Sequence, residues 1–131
     1  VRDLLRKSAE PELTLDTPGL SVIAEAFDIA EADSAVLARS HRWDQAKPAV
    51  LRHHLTLPAD RVEEAARILA QDEWELRTVS ESGEVVSLHA LRVQRLDALH
   101  CAQERSRMAG LAQRLNGDSL GWDALQPVCS G

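Results

Sequence analysis

Between Val50 and Leu57 the chain alternates. Leu51, His53, Leu55 and Leu57 take one side and Arg52, His54 and Thr56 the other, the period of two that a half-buried strand requires. Pro58 closes this run, and Asp60 stands where a cap for a following helix belongs. In that helix Val62, Ala65, Ala66 and Leu69 share a face while Arg61, Glu63, Glu64 and Arg67 take the opposite one. Alternation resumes from Glu73 to Val79, with Trp74, Leu76 and Thr78 on one side. Ser80 to Gly83 read as a hairpin turn in which Gly83 supplies a positive φ, and Glu84 to Val93 form a third strand rich in Val and Leu. A helix from Leu96 to Leu115 follows, with Leu99, Ala102, Met108, Ala112 and Leu115 on its apolar stripe. Asn116-Gly117 end it in the left-handed conformation, and a short strand from Gly121 to Val128 completes the order β-α-β-β-α-β.

The first third reads differently. Residues 1–17, mixed in charge and interrupted by Pro11, carry no sustained apolar period and are expected to form a flexible arm. Thr17 and Pro18 fit the cap and first position of a helix, and Leu20, Ile23, Ala24 and Phe27 follow at helical spacing. The stretch 28–39 either prolongs that helix or forms a second one, and His41 to Asp44, closed by Lys47-Pro48, form a connector. The expected organisation is an arm over 1–17, a helical extension and connector over 18–47, and a core over 48–131. Two β-α-β halves in the core give a four-stranded antiparallel sheet with both helices on one face, the ferredoxin-like α+β sandwich. The other face stays open unless the N-terminal helix or a second copy of the chain covers it.

Composition narrows the function. The 131 residues, 44% hydrophobic and 27% charged, fit one globular domain. With one Phe, three Trp and no Tyr, the core is built from Leu, Val, Ile and Ala, and platforms for stacking bases are scarce. The net charge of −6 and a pI near 5.3 disfavour direct nucleic-acid binding and suit a basic protein segment as partner. No apolar run approaches the roughly 20 residues that span a bilayer, so no membrane contact is expected. The opening residues lack the apolar centre of a secretory signal. Cys101 and Cys129 have no metal spacing and read as reduced thiols, which fits a cytoplasmic protein.

Candidate chemistry is sparse. Side-by-side placement of the first and third core strands would bring His54 near His89, but two histidines do not complete a zinc site. His100 and Cys101 are neighbours on a helix and point about 100° apart, which does not make a nucleophile–base pair. The carboxylates are spread along helices, and the glycines are scattered rather than gathered in a phosphate loop. The expectation is a protein that is not an enzyme, with no catalytic residue, no metal and no cofactor. Trp43, Trp74 and Trp122 suit either the core or a binding surface.

The run Lys47-Pro48-Ala49-Val50-Leu51-Arg52-His53-His54-Leu55-Thr56-Leu57-Pro58 resembles the central strand of the regulator of ribonuclease E activity B family, where a Lys-Pro element leads into a His-bearing strand. Val62 to Leu76 is similar to that family's Ala-rich helix and the strand step at Glu73-Trp74-Glu75-Leu76. Leu111 to Asp123 resembles its closing helix, Gly-containing turn and Gly-Trp strand, with Ser119-Leu120 where that family commonly has Tyr-Asp. The resemblance covers about residues 47–126. It implies a regulator that binds ribonuclease E outside its catalytic centre and modulates RNA processing or decay, with His53, His54, Trp74, Gly121 and Trp122 as partner-binding residues. A small-molecule-binding regulatory domain, using the open sheet face or the cleft of a homodimer, is the alternative; a pocket near His54 and His89 is its mark.

Overall fold

The computed structural model describes residues 12–127. Most of the arm expected over 1–17, together with Val128 and Cys129, lies outside the described residues. The architecture is α+β: a five-stranded antiparallel sheet and three helices. The strands are β1 (Leu20–Ala26), β2 (Ala49–Pro58), β3 (Glu75–Ser82), β4 (Val85–Gln94) and β5 (Asp118–Pro127), in the order β1-β5-β2-β4-β3. The helices are α1 (Asp33–Ala38), α2 (Val62–Ala70) and α3 (Ala98–Arg114).

The alternation in β2 organises the core. Leu51, Leu55 and Leu57 are fully enclosed, each contributing about 1.5–3 kcal/mol by leaving water. Register puts Val86, Leu88 and Ala90 of β4 and Trp122 and Ala124 of β5 on the same side. Over them pack Met108, Leu111 and Leu115 in and after α3, and Ala65 and Leu69 of α2. Asp97 caps α3 by accepting from the His100 backbone N–H at 2.8 Å. Asn116 ends it at φ 64, as its type and position foretold.

The principal correction concerns the N-terminal third. Leu20 to Ala26 form an edge strand against β5, not a helix. A β-bulge between Val22 and Ala24 breaks the period of two, so Ile23, Ala24 and Ala26 are all buried and mimic the spacing of a helical stripe. The pairing that overrides local spacing comes from a strand about a hundred residues away, and it turns the expected four-stranded sheet into five. The helical part of 28–39 is the short α1. The connector is held by Gln126: its Oε1 accepts from the Asp44 N–H at 2.9 Å, and its Nε2 donates to the carbonyls of Asp44, Lys47 and Pro48.

Smaller corrections follow the same logic. Asp60 makes no cap; it lies in a 3-10 turn, Ala59–Arg61, that leads into α2. The β3–β4 turn is the two residues Gly83-Glu84, with Ser82 paired to Val85 and Gly83 at φ 65. Of the predicted α3 stripe Met108, Ala112 and Leu115 are buried, whereas Leu99 and Ala102 are exposed and the buried face is completed by Cys101 and Leu111. β5 begins at Asp118, three residues before the predicted start.

The sheet's second face is not bare. Val50 and Leu91, which register assigns to it, are buried. Asp16 reaches Arg77 of β3 at 3.0 Å, and Arg77 sits opposite His89 on this same face. The segment before β1 therefore runs across the face towards the far edge, with Leu13 and Leu15 half-buried.

Candidate functional site

Three central strands bring one set of polar side chains together on the face opposite the helices. Arg52 lies opposite Asp123, and His54 lies opposite both His89 and Gly121. Arg52 donates to Asp123 through Nε at 2.8 Å and Nη2 at 2.6 Å, and His54 Nε2 donates to the same carboxylate at 3.0 Å. Burial alone would raise the Asp123 pKa. The hydrogen bonds from Arg52 and His54 outweigh it and hold the group down at about 2. The His54 ring stands 4.3 Å from that of His89 and 4.9 Å from that of Phe27, both edge-on. Burial, then the neighbouring His54 and Arg52, pushes His89 down to about 4.

Gly121 makes room for Phe27 to lie there. Its φ is +130, and a Cβ at this position would sit 2.2 Å from the Ala26 carbonyl oxygen and 2.8 Å from Phe27 Cδ1. Gly121→Ala is expected to cost about 2–4 kcal/mol, from overpacking and backbone strain together. The urea midpoint falls by the corresponding amount with an unchanged slope; an unmoved midpoint refutes this account of the glycine.

The sheet separates the sequence-predicted residues. His53, Trp74 and Trp122 belong to the helix side and are enclosed. His53 stands edge-on to Trp74 at 5.1 Å, and Arg92 lies 4.0 Å over the Trp74 ring while its Nη2 bonds Glu104. Trp122 Nε1 donates to Asp33 at 3.1 Å, and Arg105 donates to the same oxygen at 2.8 Å. Neither ring nitrogen of His53 has a partner among the described residues; burial, then Arg92 and His54, pushes its pKa down to about 3. Of the five predicted residues, His54 alone presents a side chain to the face opposite the helices, and Gly121 lies beneath Phe27. The other three support that face from below.

No family model, curated protein or solved structure matches the chain. The site therefore rests on its own geometry. Sequence reasoning brought His54 and His89 together correctly but left out Phe27, Arg52 and Asp123. A signal for the last two existed: opposite charges in the first and fourth core strands, which the expected sheet makes neighbours. Phe27 was assigned to a helix, and its position followed only from the strand it ends.

The set does not converge on a reactive centre. Asp123 accepts three hydrogen bonds, two from Arg52 and one from His54, and so orients the His54 ring. Among the described residues no three His, Cys, Asp or Glu side chains are placed to hold a metal ion. Burial pushes the Cys101 thiol up to about 12, which keeps it protonated and inert. The arrangement sets the Phe27, His54 and His89 rings edge to face beside an Arg52–Asp123 pair whose charges satisfy one another.

Proposed function

We propose that this protein is a partner-binding regulator that works by protein–protein contact through the face carrying Phe27, His54 and His89. The observation that carries the reading is the pairing on that face. Polar groups are mated to each other while Phe27 stays 46% exposed, as at binding surfaces rather than in catalytic clefts. The order β5-β2-β4-β3 of the last four strands supports a ferredoxin-like reading of that portion, with β1 as an added edge. Two of the three stretches that resemble the ribonuclease E regulator family pair directly, His53 opposite Trp122. That makes ribonuclease E the first partner to test, and the cytoplasm the compartment. Among the described residues no helix is long and apolar enough to cross a membrane.

The test is binding of the purified protein to the non-catalytic regions of ribonuclease E. Retention is expected, and the double variant His54→Ala, His89→Ala weakens it by about tenfold or more. If ribonuclease E is not retained, that partner is wrong. If it is retained equally by the double variant, the face is wrong.

A further inference from the structure

Three of the large apolar side chains exposed among the described residues share one corner of the sheet, where β1 ends and β5 continues: Phe27, Ile29 (94% exposed) and Leu120 (52%). Leu120 is the extra residue of a bulge in β5, between Gly121 opposite His54 and Ser119 opposite Leu55. It directly precedes Gly121, whose backbone lies against Ala26 and Phe27. Single exposed apolar residues are ordinary, but a cluster is a mark of association.

The loop that bears Ile29 is fixed in place. The Glu31 N–H donates to the Asp28 carbonyl at 3.0 Å, and the Ala30 N–H donates to the Asp28 side chain at 2.9 Å. Arg105 donates to the carbonyls of Asp28 and Glu31, and Arg39 clamps the Glu31 carboxylate at 2.7 Å. Ile29 is thus held out to water between anchored neighbours, so little freedom remains to be lost when it is covered.

Charge at the corner selects the occupant. Glu25, Asp28 and Asp118 are exposed and form no ion pair among the described residues, whereas the nearby cations Arg39 and Arg105 are engaged with Glu31 and Asp33. We infer that this corner docks a basic amphipathic peptide segment of a partner protein, two or three of whose apolar side chains cover Ile29, Leu120 and Phe27 while its Lys or Arg residues meet Glu25, Asp28 and Asp118. The inference rests on the partner-binding reading and specifies the partner's chemistry. A second copy of the chain brings the same carboxylates against themselves, and an anionic membrane surface is repelled, so both are disfavoured.

The probe is a fluorescent peptide of about 14 residues with Leu at helical spacing and Lys elsewhere, beside a twin with Glu in place of Lys. Anisotropy with the intact protein is expected to show binding of the Lys peptide alone, weakened about tenfold between about 0.05 and 0.3 M salt. Ile29→Ser with Leu120→Ser lowers affinity at least about tenfold, and Glu25→Gln with Asp28→Asn flattens the salt dependence; all four side chains are exposed, and thermal melts check that the variants fold. Equal binding of the Glu twin, or undiminished binding by the Ile29/Leu120 variant, overturns the inference. So does self-association or adhesion to phosphatidylglycerol vesicles that the same variant abolishes. Loss of peptide binding with ribonuclease E still retained through His54 and His89 refutes the corner alone, while peptide capture without ribonuclease E refutes that partner alone.

Discussion

Trp122→Ala lowers stability by about 3–5 kcal/mol, the cost of removing a fully enclosed indole and leaving a cavity. Against a typical total of about 5–15 kcal/mol this leaves a substantial unfolded fraction. The ring fills the space between β5 and the helices, and its Nε1–H is one of two donors to the buried Asp33 carboxylate. Truncation therefore also strips a hydrogen bond from an ion that cannot regain water. Trp122→Phe separates the two effects: it keeps most of the volume and costs about 1–3 kcal/mol through the lost donor. Calorimetry ranks the variants, with Trp122→Ala melting lowest. A Trp122→Ala protein as stable as the parent, but unable to bind, would return this residue to the binding surface and remove it from the core.

Replacing His53 with Leu has an opposite and pH-dependent effect. In the folded protein His53 is held neutral, with a pKa pushed down to about 3 by burial and then by Arg92 and His54, while in the unfolded chain it titrates near the ordinary histidine value of about 6.5. Below that value the unfolded state binds a proton that the folded state refuses, so unfolding becomes more favourable as pH falls. The stability conferred by a neutral His53 is complete above about pH 6.5 and is lost progressively towards pH 3, by on the order of 4 kcal/mol at the acid end. His89, pushed down to about 4, adds to the loss in the same direction. Asp123, held down at about 2, adds its own loss only below about pH 4. His53→Leu removes the largest of these contributions and relieves two unpartnered buried nitrogens. It is expected to be equal to or more stable than the parent at pH 7 and to flatten the decline between about pH 6 and 3. Urea titrations at several pH values read this directly, and an unchanged acid slope refutes the assignment.

The sequence was most legible where one face of an element met the core and the other met water. β2, α2 and β4 declared themselves because Leu51, Leu55, Leu57, Ala65, Leu69 and Leu88 recur at the period of their own element. The end of α3 was equally plain, since Asn116 and Gly117 do there what few other residues do. β1 was misread because its bulge removes the period of two and because its partner β5 is remote in sequence. α3 misled differently. Leu99 and Ala102 satisfy a helical stripe, yet the face that meets β2 and β5 is set by where Cys101, Met108 and Leu111 fall. The site was half visible: the strand neighbours His54 and His89 followed from topology alone. Phe27 needed the strand that local spacing hid, and the division of His53 from His54 onto opposite sides of the sheet turned two adjacent histidines into a core residue and a surface one.

The position of β5 between β1 and β2 also sets an order of events. β1 leaves the ribosome early, yet the strand that borders it is the last of those described, and the Gln126 clamp on the connector arrives with it. Until then β2, β3 and β4 can associate through the β3–β4 hairpin and the α2 crossover, while Leu20 to Ala26 and the connector wait without partners. Their apolar residues are open to chaperones, or to pairing with another nascent chain, until β5 is made. Closing the sheet is then a single late step in which one strand slots between two others and secures both ends of the domain at once.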